Sequence, residues 1–527
     1  MKNSFRQSMS WLHTWTGLIF GSLLYFIFLT GTPGYFDIEI DRWMQPELPP
    51  ATRSGTLDAT SAALHFLNRQ AADANQWYIE LPTHRDTPYL DVAWRADGPW
   101  QDQLLSVSDG TPLVTPRATG GGQLLYRMHW RLHYLPSLPA TLLVGFATLV
   151  MLIGLVTGII VHKKIFADFF TFRPGKGQRS WLDAHNISGV MALPFHLMIT
   201  YSGLLFFATT LMPFIIHAHY GEDEGGINGF YEDFLQQSEM PARSGQPQPL
   251  TNLAPLLEQA EARWGEGNIR SIVVYLPGDA NAEVHLGQLA NSPLRSNESL
   301  RFSGTSGELL EWQPASRFYT QAVSEVFLGL HEGLFAGPVL RWLYFGSGLL
   351  GSAMIATGLV LWTRKRQQKL ARKGSADHHR GLHLVEHLNV GIILGLPCAI
   401  ALYFWANRLL PVGFAGRADW EAHILFISWA ALLLHPFVRP LPRAWIEQTW
   451  LAAAAFGLLP LLNALTTDQH LLYALPAGDL AMAGFDLTAL ASGGGFALLA
   501  IYLSRKAACK AALLQNPTPD TRLRGLP

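Results

Sequence analysis

The sequence predicts a polytopic α-helical membrane protein. It has about eight transmembrane helices and two small α+β inserts, arranged as a tandem repeat of span–insert–span. Three observations carry this. Hydrophobic residues make up 49% of the chain and charged residues 15%, against roughly 25% charged in an average soluble domain. Apolar stretches near the length of about 20 residues needed to cross a bilayer recur along the chain. Landmarks of the first two spans reappear in the next two.

The first span covers residues 11–31. A signal peptide is the competing reading, but the apolar core is too long for one and no A-x-A site follows, so it reads as a retained helix. The next spans are 138–161, 187–212 and 339–362, and four more follow at 388–409, 422–437, 450–465 and 482–503. Pro397, Pro460 and the run Gly493-Gly494-Gly495 interrupt the last group, which membrane helices tolerate better than soluble ones. Basic residues set the orientation. Lys2 and Arg6 precede span one, and Lys163, Lys164, Arg173, Lys176 and Arg179 follow span two. Arg364, Lys365, Arg366, Lys369, Arg372 and Lys373 follow span four, and Arg505, Lys506 and Lys510 follow span eight. With eight spans these loops share one side, so both termini are expected in the cytoplasm and both inserts in the periplasm.

The expected domain scheme is a first helix at 1–35, an insert at 36–128, a second helix at 129–165 and a basic loop at 166–184. A third helix at 185–212, a second insert at 213–325 and a fourth helix at 326–364 repeat the plan. A cytoplasmic loop at 365–387, a four-helix extension at 388–505 and a tail at 506–527 complete it. Each insert opens with a helical pattern, at 57–69 and 253–264. Strand-like runs follow at 77–81, 89–94 and 103–107, and at 271–276, 283–289 and 300–303. Each insert thus reads as a small module with a helix on an antiparallel sheet.

The repeat is defined by residues that carry chemistry. Span one reads His13-Thr-Trp-Thr-Gly17 and reaches Thr30-Gly31, and span three reads His185-Asn-Ile-Ser-Gly189 and reaches Ser202-Gly203. Span two follows Leu132-His133 and ends near Thr157-Gly158, and span four follows Leu330-His331 and ends near Thr357-Gly358. Histidine in a membrane helix is costly unless it is hydrogen-bonded, paired or bound to metal. His13 and His185 fall in one layer, and His133 and His331 in another. Facing helices commonly hold a bundle cofactor between them, so two layers suit two bis-histidine haems. Gly17 and Gly189, one turn after their histidines, leave room for a flat macrocycle, or they are helix-packing residues. His129 shares a helical face with His133 and competes with it as ligand.

The other histidines have plainer readings. His196 is expected to be a buried, hydrogen-bonded residue, and His162 an interfacial one. His383 and His387, at i and i+4, could clamp a metal, although HLVEH is not the zincin order. His217 and His219 read as loop residues. His378 and His379 precede span five. The net charge of -1 recruits no nucleic acid. Two cysteines, Cys398 and Cys509, build neither a disulfide framework nor a c-type haem site. No Walker motif is present and no G-x-G-x-x-G sits in a strand–turn–helix context, so electrons would come from a quinol or a separate cytoplasmic donor.

Together, His13-x-x-x-Gly17, Met128-His129-Trp-Arg-Leu-His133, Asp183-Ala-His185-Asn-Ile-Ser-Gly189 and Leu330-His331-Glu-Gly resemble the PepSY-associated transmembrane-helix family. That family comprises bacterial iron-regulated inner-membrane proteins, among them ferrisiderophore reductases, and the resemblance covers about residues 8–370. It implies four core helices, PepSY-like inserts in the periplasm and two b-type haems passing electrons to a ferric siderophore or other ferric chelate. The matching ligands are His13, His185, His133 (or His129) and His331. Two other functions compete. One is a membrane-tethered PepSY module with a binding or peptidase-inhibitory role. The other is an iron or siderophore permease, against which the parallel repeat and an expected lack of carboxylates within the spans both count.

Overall fold

The computed structural model describes residues 4–515 apart from 52–53, 83–84, 86–87, 163–164, 166–171, 222–224, 227, 231–240, 290–291, 317 and 373–378. Lys2, Lys163, Lys164, Lys373 and His378 therefore lie outside the described residues. The chain divides into two units: Met1–Pro46, Arg117–Leu204 and Pro338–Pro527 form one, and Glu47–Pro116 and Leu205–Gly337 the other.

The first unit is helical. Among the described residues, seven helices are long and apolar enough to cross a membrane, or eight if one bent pair counts as a span, and this is a multi-pass membrane protein. The first span is the helix Phe5–Gly31. It starts on a capping box in which Ser4 and Gln7 exchange side-chain and backbone hydrogen bonds. The second span is Ser137–Val161 and the fourth is Pro338–Ala371. The third is the bent pair, Gln178–Met191 followed by Leu193–Phe206 at 68°. Pro194 explains the bend, because its ring clashes with a straight helix and it has no N–H for the Val190 carbonyl. The Ala192 N–H takes up that carbonyl instead.

The last four spans are Arg380–Leu409, Arg417–Val438, Leu441–Thr466 and Leu480–Ala512. Prolines break three of them, and side chains serve carbonyls at each break. A π-helical turn, Gly391–Gly395, leads to Pro397. The Ile393 carbonyl, four residues before that proline, accepts from the Tyr25 hydroxyl at 2.9 Å. The Gly391 carbonyl accepts from Trp429 Nε1 at 3.1 Å. The Leu432 carbonyl, four residues before Pro436, accepts from Gln448 Nε2 at 2.7 Å. At the Pro460 break, the Ala455 carbonyl accepts from Trp405 Nε1 at 2.7 Å. The glycine run at 493–495 does not interrupt the eighth span: the helix continues through Leu480–Gln515. Gly493 is where that helix touches the seventh span, since a Cβ there would lie 2.5 Å from the Gly457 nitrogen.

The expectation that the spans lack carboxylates is overturned. Asp486, inside the eighth span, and Glu421, in the first turn or so of the sixth, are fully buried. Each accepts hydrogen bonds from buried donors. Asp486 accepts from Trp43 Nε1 at 2.9 Å and Asn463 Nδ2 at 3.1 Å. Glu421 accepts from Arg417 Nη1 at 2.6 Å, Asn407 Nδ2 at 2.9 Å, the Thr119 hydroxyl at 2.6 Å and the Gly120 N–H at 2.9 Å. The Arg408 guanidinium lies 3.7 Å from the centre of the Trp43 ring and donates to Asn463 Oδ1 at 3.0 Å. Buried charge is retained only when paired in this way.

The second unit is built on an antiparallel sheet. β1 (Gln76–Glu80), β2 (Leu90–Arg95) and β3 (Gln101–Leu105) come from the first insert. β4 (Ile269–Tyr275), β5 (Glu283–Gln288), β6 (Ser299–Ser303) and β7 (Leu309–Gln313) come from the second. The inserts are not two separate modules. They form one seven-stranded sheet in the order β3-β2-β1-β4-β5-β6-β7. β1 pairs with β4 from Gln76↔Tyr275 to Glu80↔Ser271, which covers an edge that each half would otherwise expose. The helices Thr56–Gln70 and Ala254–Trp264 share one core with this sheet, in which Ala63 and Leu67 join Leu257, Ala260, Ile79 and Ile272. The Thr56 hydroxyl ties the two helices by donating to Glu261 Oε1 at 2.6 Å.

The carbonyl relay is directly testable. Gln448→Leu leaves the Leu432 carbonyl unpaired and is expected to cost about 1–3 kcal/mol, read as a fall in thermal stability in detergent. Pro436→Ala restores a backbone donor, so the same leucine substitution costs less in that background. An equal cost in both backgrounds would mean the glutamine acts by packing alone.

Candidate functional site

His13 and His185 come together. Their ring centres are 6.1 Å apart with planes at 69°. Each ring is aimed by the neighbouring helix in the same way. His13 Nδ1 donates to the Gly154 carbonyl at 2.9 Å, and Thr157 Oγ1 stands 3.2 Å away. His185 Nδ1 donates to the Met354 carbonyl at 2.8 Å. Each ring also packs its Cε1–Nδ1 edge against a glycine. A Cβ on Gly158 would be 3.3 Å from His13 Cε1, and one on Gly358 would be 3.1 Å from His185 Cε1. Positions 154 and 158 in the second span therefore match 354 and 358 in the fourth, and the repeat seen in the sequence is a repeat of contacts.

Chemically, a carbonyl partner fixes the proton on Nδ1 and leaves Nε2 with its lone pair, the arrangement by which imidazole binds a metal while a further partner orients it. A metal–nitrogen bond is about 2 Å, and ring centres 6.1 Å apart are close enough for both imidazoles to reach one ion. Among the described residues, no group of three or more His, Cys, Asp or Glu could hold a bare ion. Two imidazoles offer two nitrogen ligands, the number that a metal in a planar macrocycle leaves to its protein.

The space around them fits such a group. A cavity of about 1040 Å³ is lined by His13, His185, Gly17, Gly189, Gly154 and Gly158 among others, at the upper end of the roughly 300–1,000 Å³ of ligand pockets. A Cβ at Gly17 or Gly154 would meet nothing within 4 Å, whereas one at Gly189 would lie 3.0 Å from Met354 Sδ. Gly17 thus faces open space and Gly189 a helix contact. Arg6, Arg173, Lys176, Arg179 and Lys365 also line the cavity.

The other sequence candidates are placed as follows. His129 lies in the helix Gly121–Arg131, with its Nδ1 donating to the Tyr126 carbonyl. It packs on Gly31 of the first span, where a Cβ would be 3.2 Å from the His129 Cβ. Burial pushes its imidazole down to about 4, so it is neutral near pH 7. His133 lies beyond that helix and is exposed. Its ring stacks on Phe426 at 5.8 Å, beside Tyr134 at 4.6 Å. His331 belongs to the second unit. It stands in the last turn of the helix Tyr319–Glu332 with its ring against Phe206 at 5.2 Å.

His196 is buried and hydrogen-bonded to the Ser347 carbonyl at 3.2 Å through Nε2. His383 and His387 stack at 3.9 Å, and His387 Nδ1 donates to the His383 carbonyl at 2.7 Å, which leaves no gap for an ion between the rings. His217 Nδ1 donates to the Gly221 carbonyl at 3.1 Å.

Sequence reasoning missed Gly154, Met354 and the roles of Gly158 and Gly358 as seats for the rings. The signal was present, because Thr157-Gly158 and Thr357-Gly358 already marked the repeat. It also assigned Arg6, Lys176, Arg179 and Lys365 to topology alone, whereas they gather at one cavity.

No curated protein matches the chain. The model of the PepSY-associated TM region family matches residues 10–365, which span both histidine-bearing repeats and stop before the last four helices. The chain belongs to the PepSY-associated TM region family.

Proposed function

We propose that the protein is a di-haem b electron-transfer protein of the bacterial inner membrane, with both termini cytoplasmic. In this reading it is an oxidoreductase that reduces a ferric siderophore or another ferric chelate at the periplasmic face. The observation that carries the reading is the pair His13 and His185, opposed across one cavity with each Nδ1 committed to a carbonyl.

The chain's own residues do the positioning. Gly154 and Met354 fix the two imidazoles in the tautomer that leaves Nε2 to bind. Gly158 and Gly358 let the rings lie against the backbone, and Gly17 leaves the floor open. Leu24, Val150, Leu155, Leu193 and Leu359 supply apolar walls that exclude water. Haem b, when bound there, supplies a one-electron couple. An electron delivered from a quinol or cytoplasmic donor would be passed outward to the ferric substrate. Iron(II) is held less tightly than iron(III) by hard oxygen ligands, so the product is released.

The test is a pyridine haemochrome assay with an oxidised-minus-reduced spectrum on the detergent-purified protein. The expected result is two haem b per chain. His13→Ala, His185→Ala and the double variant should each lose the same single haem, and His331→Ala the other. A protein that stays colourless after haem supplementation sinks the reading and leaves a tethered binding module or a permease.

A second prediction uses the open floor. Gly17→Leu meets no neighbour within 4 Å at its Cβ, so the protein should fold with unchanged thermal stability of the haem-free form. Its side chain enters the cavity, and haem content should fall by about one per chain. Full haem retention would place the group elsewhere.

A further inference from the structure

The cavity that holds His13 and His185 is amphipathic in a directed way. Apolar residues and glycines of the first, second and fourth spans line its interior, and Arg6, Arg173, Lys176, Arg179 and Lys365 line it from three helices and a loop. Among the described residues, Asp183 is the one lining carboxylate. It is already taken, since Arg173 Nε and Nη2 donate to it at 2.9 Å and 2.8 Å. Arg6 is also committed, because its Nε and Nη2 donate to the Val161 carbonyl at 2.9 Å and 2.6 Å. Lys176, Arg179 and Lys365 remain, all exposed. A flat apolar body with a doubly anionic edge is complementary to this cavity.

We infer that Lys176, Arg179 and Lys365 bind the two carboxylates of the macrocycle held by His13 and His185, so that its anionic edge faces the basic mouth and its apolar edge faces the span interior. The inference rests on the proposed haem at this site. Carboxylate–guanidinium and carboxylate–ammonium bonds are charge-assisted and stronger than neutral ones. Topology alone would place basic residues in these loops, but it does not require them to converge on one cavity. These three residues are positioning residues: they set which way the group enters and help to retain it.

The experiment separates the carboxylates from everything else in the ligand. Full-length protein is purified haem-free and titrated, by Soret absorbance, with ferric protoporphyrin IX and with its dimethyl ester, which keeps the iron and ring but has no carboxylate. The wild type is expected to bind the diacid at least about tenfold more tightly than the ester. The variant Lys176→Gln/Arg179→Gln/Lys365→Gln is expected to bring that ratio towards one without changing affinity for the ester, and Lys365→Arg to behave as the wild type. Equal affinities in the wild type would overturn the inference and leave the haem site itself intact. An unchanged ratio in the triple variant would overturn it as well. A protein that takes up neither compound fails the proposed function, and the inference falls with it.

Discussion

Within a bilayer no water is available to pair a backbone or side-chain polar group, and this constraint organises the helical unit. Each proline that breaks a span releases a carbonyl, and a nearby donor takes it up. Tyr25, Gln448 and the Ala192 N–H each serve a carbonyl four residues before a proline. Trp405 and Trp429 serve carbonyls at the same irregular turns. The breaks are therefore also crosslinks, because the donors come from other spans in most cases. Tyr25, on the first span, holds the fifth.

The same constraint shapes the histidine site. His13 and His185 could not sit between membrane helices with both nitrogens idle. Each gives one proton to a carbonyl of the adjacent helix and keeps one lone pair. The two halves of the repeat solve this identically: a histidine on the first helix of the pair, a carbonyl four residues before a glycine on the second, and the glycine against the edge of the ring. The symmetry brings two equivalently held imidazoles to one cavity by duplicating a single helix pair.

The four helices beyond the family match form a scaffold for the helical unit. Arg408, Arg417, Glu421, Asn463 and Asp486 bind Trp43, Ala118, Thr119 and Gly120 in a network of charged and amide groups. Arg42 and Asp479 add an ion pair at 2.8 Å. The segment after the first span and the segment before the second are thereby anchored to the extension. Phe26 stacks on Trp429 at 5.4 Å on the same side of the first span.

The sequence by itself determined the spans, the inserts and the tandem repeat, because each depends on local quantities: apolar length, alternation and recurring motifs. It also named His13 and His185, since histidines at repeat-related positions in apolar helices are a costly pattern that demands a partner. Only the tertiary structure decided which carbonyl aims each ring, that Gly17 opens onto a cavity while Gly189 meets Met354, and that Arg179 and Lys365 converge there. It also decided that β1 pairs with β4, which local alternation cannot show because both strands carry the same pattern whether they are edges or neighbours. Asp486 went unremarked for the same reason: a carboxylate in an apolar run looks like an exception until Trp43 and Asn463, far away in sequence, are seen to bond it. Pairing across hundreds of residues is set by packing geometry, and no window along the chain contains it.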